Sequence, residues 1–525
     1  MRRTIAALAV ACLALTLAGT ASAARYIVVF KPGSSGQGVR AVKAAGGTVA
    51  SINKLGVGTV RSTRAGFLQQ LRASGRVVAA APNAAFRESS ARATRTPQVA
   101  ELTPGQAITG CDTLFSPPAG TVGPDPFNVC QWGNRAVRAT IGGGSYGFNQ
   151  GDGVKVGIID TGLDLNHPDL RANIDVGLSC SFIRPNNPTA APGESDPTNF
   201  GSDPNGPFRG ACATKSAVQD RAGHGTHVGG IVAAPINGIG VSGVAPRATL
   251  VGLKAGTQQG YFFTQEVVDA LVYAGDKRLD VVNMSFFADP WLFNCKNDAD
   301  QKAIVQAISR ASRYAAQRGV VQVASAGNEA TDLDHPDEDP ISPDFPPGAE
   351  QPRPVGNNCV VLPDELPDVA TITALGPRLI LASYSSVSNS KVENTAPGGD
   401  AVQTNGSTFG RILSTYSSTA AAPPASRRID DCTGSVCAVY AWLSGTSMAS
   451  PYAAGVAALI RHSHPGMPPA AVVATLQNTA QPMACTEEAE TYTGRNCTGS
   501  TNPGSNGQTN FYGNGLVDAL AAGTK

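Results

Sequence analysis

Three side chains of this sequence have the types needed to build a nucleophile. Asp160 ends an apolar run, in Ile158-Ile159-Asp160-Thr161-Gly162. His224 lies in Gly223-His224-Gly225-Thr226-His227-Val228-Gly229-Gly230, and Ser447 in Gly445-Thr446-Ser447-Met448-Ala449-Ser450-Pro451. A serine hydroxyl is a poor nucleophile until a base takes its proton. An imidazole does this near neutral pH, and a carboxylate fixes its tautomer and stabilises the imidazolium. The chemistry in prospect is acyl transfer. Asn328, in Ala324-Ser325-Ala326-Gly327-Asn328-Glu329, adds an amide for a developing oxyanion, with the Ser447 N–H at a helix start as the second donor. Losing one such donor costs roughly 10²–10³ in turnover.

Taken singly, these residues are ordinary. An isolated Asp after a strand is usually a cap, and a lone Asn a loop amide; only the set carries weight. His224 and His227 are three apart and mimic a metal pair, but no His-Glu-x-x-His motif or third ligand accompanies them. His227 reads as a helix-packing residue, and His167, His335, His462 and His464 as surface or loop residues.

Strand ends and helix starts must hold such a set. Apolar runs predict strands at 154–159, 249–253, 280–285, 320–324 and 369–374. Periodic patterns predict helices at 228–234, 265–275, 301–317, 450–462 and 469–479. Buried strands alternating with helices mean an α/β, doubly wound, mainly parallel sheet, with chemistry at the carboxyl ends of its strands. Before it, residues 24–88 read as a small α+β unit in the order β-α-β-α-β: strands at 26–30, 56–61 and 77–81, helices at 38–45 and 67–74. Residues 89–124, rich in Ser, Thr, Ala, Pro and Gly, read as a linker or N-terminal arm; residues 125–525 form the large domain.

Composition bounds the function. The 525 residues carry 40 Lys+Arg and 39 Asp+Glu, a net charge of +1, which argues against a nucleic-acid binder held by a basic surface. Hydrophobic residues make up 42%, enough for large cores. Arg2-Arg3, the apolar run 5–18 and Ala21-Ser22-Ala23 read as a secretory signal cut after Ala23, its apolar run too short to span a bilayer. A soluble, secreted protein without a membrane anchor is expected. Of 11 cysteines, Cys12 leaves with that signal, and an even ten in an exported chain suggests disulfides. Connectivity cannot be deduced from sequence; proximity suggests Cys111–Cys130, Cys180–Cys212, Cys295–Cys359, Cys432–Cys437 and Cys485–Cys497. The net charge is a sum of opposed halves: residues 1–95 hold 14 basic residues and one acid, Glu88, and residues 96–525 hold 26 basic and 38 acidic.

Over nearly all of 125–520 the sequence resembles the subtilisin-like serine peptidases. The Asp-Thr-Gly, His-Gly-Thr-His and Gly-Thr-Ser-Met-Ala-Ser-Pro motifs come in that family's order. Val281-Val282-Asn283-Met284-Ser285 and the closing Tyr512-Gly513-Asn514-Gly515-Leu516-Val517-Asp518-Ala519 match as well. The resemblance implies a secreted endopeptidase acting on proteins or peptides as a monomer, without a cofactor for chemistry. Residues 25–88 resemble the family's inhibitory propeptide, which implies an intramolecular chaperone cut autocatalytically, with a junction between Ala85 and Thr96. It also implies that substrate adds as a β-strand between 253–260 and 285–289, with 324–328 closing the side-chain pocket. The residues expected at substrate are Leu253, Gly256, Ser285, Phe286, Phe287, Ala326 and Gly327. The family usually carries Gly-Gly after Met-Ser-Leu, whereas this chain reads Ser285-Phe286-Phe287-Ala288; either the pocket is narrowed or the loop is displaced. Asp125, Asp169 and Asn237 match positions of a structural calcium site, with the carbonyls of Pro235, Ile239 and Val241 completing an oxygen shell; the alternative is a helix cap with a hydrogen-bonded loop. Two rival readings are an acid-acting branch of the same fold, which uses Glu for His and Asp for Asn, and a catalytically dead peptide-binding module. The intact His224 and Asn328 argue against the first, and the complete set against the second.

Overall fold

The computed structural model describes residues 24–83, 111, 123–433, 436–499 and 507–525. The expected signal segment and all of the expected linker but Cys111 and 123–124 lie outside them.

The small N-terminal unit is a four-stranded antiparallel sheet under two helices. Its elements are β1 (Ala24–Phe30), α1 (Ser35–Ala44), β2 (Thr48–Ile52), β3 (Val57–Ser62), α2 (Phe67–Ala73) and β4 (Val77–Pro82). The strand order is β2-β3-β1-β4. The expected order lacked β2, whose Thr-Val-Ala-Ser-Ile run is short, half polar and follows Gly46-Gly47. Alternation along β1 shows how the unit is used. Val28 and Phe30 point to α1 and α2, packing with Val42, Phe67 and Leu71. Ile27 and Val29 point the other way, into the core of the large domain.

The large domain carries a seven-stranded sheet whose recorded pairs are all parallel. In chain order its parts are β5 (Lys155–Asp160), β6 (Cys180–Ser181), α3 (His224–Ala233), β7 (Thr249–Lys254), α4 (Thr264–Lys277) and β8 (Val281–Met284), followed by β9 (Phe293–Cys295), a strand outside this sheet. Then come α5 (Ala299–Gln317), β10 (Val321–Ser325), β11 (Cys359–Val361), β12 (Val369–Leu375) and β13 (Val392–Pro397). The order β13-β12-β10-β8-β5-β7-β6 reverses direction at β5. Such a switch point opens a crevice at the strand's carboxyl end, where Asp160 stands. Val156 and Ile158 pack to one face with α3 and α6 (Thr446–Ser463); Ile159 packs to the other with α4 and α5.

Two helices start four residues before their apolar periodicity, at His224 and Thr446, where the two motifs read as opening helices. The polar Thr446-Ser447 and His224-Gly225 turns are helical in α6 and α3, where apolar periodicity could not mark them. The sequence reading also missed β13 and an antiparallel sheet of Ile412–Thr415, Arg428–Thr433 and Val436–Leu443. All five cysteine pairs suggested by proximity form. Cys295–Cys359 staples β9 to β11, which pair antiparallel.

Candidate active site

Asp160 is fully buried at the end of β5 and accepts the Thr161 N–H at 2.7 Å. Its two oxygens lie 2.8 and 3.0 Å from His224 Nδ1. The contact assigns the Nδ1 proton to the Asp160 side and leaves Nε2 as the free base. His224 opens α3, and the turn before it depends on glycine: Gly223 has φ +91°, and a Cβ on Gly225 would lie 2.1 Å from the Gly162 carbonyl.

Asp220, which the sequence reading passed over, fixes this turn. Its carboxylate is buried and accepts the N–H groups of Gly223 and Thr226, both at 2.8 Å, and the hydroxyls of Thr161 and Thr226, at 2.9 and 2.7 Å. Thr161 Oγ1 in turn accepts the Gly225 N–H at 3.0 Å, clasping β5 to α3. Burial alone would lower the His224 pKa. The charge and hydrogen bond of Asp160, helped by Asp220, outweigh it and raise the value above that of an ordinary histidine.

Ser447 stands in the first turn of α6. Pro451, four residues on, has no N–H, so it cannot donate to the Ser447 carbonyl. Ser285 Oγ donates to that carbonyl instead, at 3.0 Å. The Ser447 hydroxyl donates to the Ser285 carbonyl at 3.3 Å. Asn328 follows β10; its Oδ1 accepts both the N–H and the hydroxyl of Thr446 at 2.9 Å. The side-chain oxygen is thus engaged, and the Nδ2 hydrogens remain to donate.

His224, Ser447 and Asn328 line one cavity of about 530 Å³. Ser285, Phe286, Phe287 and Gly327 line it too. Leu253, Gly256 and Ala326 do not. Leu253 and Ala326 are packed in the core, and Gly256 is covered by the Phe262 ring, which a Cβ would meet at 2.5 Å. Phe286 stacks on Phe262 with centroids 4.2 Å apart, and Phe287 packs against the cluster of Leu292 and Val361. Four acids share the lining: Asp289, at the end of the expected substrate segment, Glu329, next to Asn328 in its motif, and two that the sequence reading of the site did not include, Asp344 and Asp364. These two lie far apart along the chain, so no local motif marks them.

Two further expectations meet a different arrangement. His167 is in a loop but buried, its Nε2 2.8 Å from the Val439 carbonyl. His227 is buried as expected of a packing residue, 2.9 Å from the Ala441 carbonyl, and burial lowers its pKa to about 3. The expected calcium ligands do come together, but they bond to donors. Asp125 Oδ1 accepts the N–H groups of Asn237 and Gly238, and its Oδ2 the Ser242 hydroxyl. Asp169 accepts Asn237 Nδ2 at 3.0 Å, the Val241 N–H at 3.0 Å and the Tyr440 hydroxyl at 3.1 Å. Asn237 Oδ1 takes the Ile239 N–H. Burial lifts the Asp169 pKa to about 8 against the pull of its three donors. Among the described residues no group of three or more His, Cys, Asp or Glu could hold a metal ion. This cluster, as arranged, does not fit a calcium shell.

Comparison with known proteins agrees with the geometry. The model of the subtilase family matches residues 151–515. Subtilisin DY of Bacillus licheniformis is 29% identical, covering 71% of this chain and 92% of its own length. Subtilisin Savinase of Lederbergia lenta is 28% identical, over 71% and 91%. Among solved structures, the epidermin leader peptide processing serine protease from Staphylococcus aureus has the same fold, with a TM-score of 0.64 at 20% identity over 96% of this chain and 98% of that one. The chain belongs to the subtilase family, and it is a serine endopeptidase.

Proposed function

We propose that this protein is a secreted, monomeric endopeptidase made as a zymogen, in which Asp160, His224 and Ser447 form the catalytic triad. The observation that carries the reading is the buried Asp160 carboxylate held on His224 Nδ1, with Ser447 and Asn328 on the same cavity. For attack, the Ser447 hydroxyl turns from the Ser285 carbonyl to His224 Nε2. The imidazole takes the proton as Oγ adds to the peptide carbonyl, and Asp160 stabilises the imidazolium. Asn328 Nδ2 and the Ser447 N–H donate to the oxyanion. His224 then returns the proton to the leaving amine, and water repeats the cycle on the acyl-enzyme.

Residues 1–23 are the signal segment, 24–88 the inhibitory propeptide, 89–124 the connecting arm and 125–525 the catalytic domain. The sheet of 24–83 packs Ile27 and Val29 onto the domain, and Arg310 Nη1 donates to the carbonyls of Phe30 and Leu55 at 2.8 and 3.0 Å. Ser447→Ala is expected to abolish peptide hydrolysis and leave the precursor uncut, read by mass and N-terminal analysis of the secreted protein. Normal processing by the purified variant overturns the autocatalytic part of the reading. Absence of a fluorophosphonate adduct on wild-type Ser447 overturns the whole.

A further inference from the structure

A lysine and a glutamate are sealed inside the molecule beside the proposed triad. Lys254 ends β7 and stands in register with Asp160 at the end of β5. Its side chain and that of Glu194 are fully buried and form an ion pair at 2.9 Å. Taking two charged groups out of water is costly, and apolar side chains of the same volume would hold a core at least as well. The amine has a second contact, however: Lys254 Nζ donates to the Thr161 carbonyl.

Thr161 is the residue that ties the base to its carboxylate. Its N–H is on Asp160 Oδ1, and its Oγ1 accepts the Gly225 N–H, one residue past His224. Its carbonyl is the group that Lys254 takes. The backbone after Lys254 joins the grip. The N–H groups of Ala255 and Gly256 donate to the Asp160 carbonyl at 3.0 and 3.1 Å. The strand end that carries Asp160 is thus held by three consecutive residues, 254–256.

Glu194 comes from another part of the chain, the long segment between β6 and α3 that starts at Cys180 and is closed by Cys180–Cys212. This segment hangs on the same strand. Ser181 pairs with Lys254, and the Phe182 N–H donates to the Lys254 carbonyl at 2.8 Å. Ser181 Oγ donates to the Glu194 carbonyl at 2.6 Å, and Glu194 Oε2 accepts the Ala191 N–H at 2.7 Å. The same turn has a second arm: the Pro192 carbonyl accepts Arg221 Nη1 at 2.7 Å. Arg221 follows Asp220, which fixes the start of α3. One turn, 191–194, therefore reaches both the segment of Asp160 and the segment of His224.

We infer that Lys254 and Glu194 are positioning residues for the reaction. Glu194 holds the Lys254 amine on the Thr161 carbonyl, and Thr161, so held, keeps the Asp160 carboxylate on His224 Nδ1. Neither residue takes part in a bond change. An error of about 1 Å in a catalytic geometry costs roughly 10²-fold in rate.

The inference rests on the proposed triad, and the test keeps the two apart. Wild type is compared with Lys254→Met and with the double variant Lys254→Met/Glu194→Leu, which replaces the pair by apolar side chains. Each purified processed protein is assayed on a peptide p-nitroanilide that wild type cleaves, with thermal unfolding followed in parallel. Lys254→Met leaves Glu194 buried without its cation, so its unfolding midpoint is expected to fall. In the double variant the midpoint is expected to return to within a few degrees of wild type. In both, kcat is expected to be about 100-fold below wild type, with KM changed by less than about threefold. A double variant that folds but stays uncut, where wild type is processed, shows the same loss. Recovery of kcat together with the midpoint overturns the inference, because the pair then serves only the fold. So does a double variant that does not fold, or a loss carried by KM. Wild-type protein that neither cleaves any peptide nor takes a fluorophosphonate on Ser447 overturns the triad instead.

Discussion

At the scale of single residues, the base is the most exposed to test. Burial pulls the His224 pKa down, and the Asp160 and Asp220 charges more than restore it. The imidazole must be neutral to accept the Ser447 proton. The acid limb of kcat/KM is therefore expected above the ordinary histidine value of about 6.5. In Asp160→Asn the limb moves down and kcat falls by roughly 10⁴-fold, the loss typical of a triad deprived of its carboxylate. A pH–rate profile of both proteins checks this; a limb that stays in place shows that Asp160 does not set it. The stability sign is opposite to the activity sign. A raised histidine contributes stability that is fully present below the unfolded value, about 6.5, and lost as pH rises through the folded one. The range in which the enzyme works is thus the range in which this pair contributes least to the fold. The three residues of the proposed triad and Asn328 were legible because each sits in its own short motif. Asp220 and Asp364 were not. Their surroundings are made by segments distant in sequence, and an Asp in a loop looks the same whether it braces a helix start or lines a cavity.

At the scale of elements, apolar pattern was a good guide to the strands, whereas the two polar helix starts were marked by their motifs and not by that pattern. The runs around Ile158, Val251, Val282 and Val323 fall in strands as predicted. The helices that carry His224 and Ser447 begin four residues earlier than their apolar pattern. A first turn that presents side chains to a cleft has no reason to be apolar. The cluster of Asp125, Asp169 and Asn237 shows a further limit. Its residue types match a calcium site, but type alone does not say whether oxygens face a cation or N–H donors. Here the donors are in place. Chelation with EDTA is therefore expected to leave the thermal unfolding midpoint unchanged, measured by calorimetry with and without added Ca²⁺. A calcium-dependent rise of several degrees would restore the metal site.

At the scale of the molecule, the near-zero net charge conceals two complementary surfaces. Residues 1–95 hold 14 basic residues against one acid, and residues 96–525 an excess of acids. The structure places the opposed charges together: Lys54 with Asp276, Arg61 with Asp203 and Arg72 with Asp300. Each pair is substantially exposed, so each contributes little by itself. Their collective effect is on encounter, which salt screens within about 10 Å at 0.1 M. Inhibition of the processed enzyme by an isolated peptide of residues 24–88 is expected to slow in onset about tenfold between 20 and 500 mM NaCl, with a smaller change in release. Salt-independent onset in progress curves removes the steering. The staple from Cys295 to Cys359 reaches further than the pocket it borders. Thiols stay reduced in the cytosol and pair outside it. A chain kept in a reducing compartment therefore lacks the link that ties β9 to β11. If the protein is exported as proposed, the redox boundary it crosses is also where this wall of the cavity is completed, since the link between β9 and β11 forms only outside.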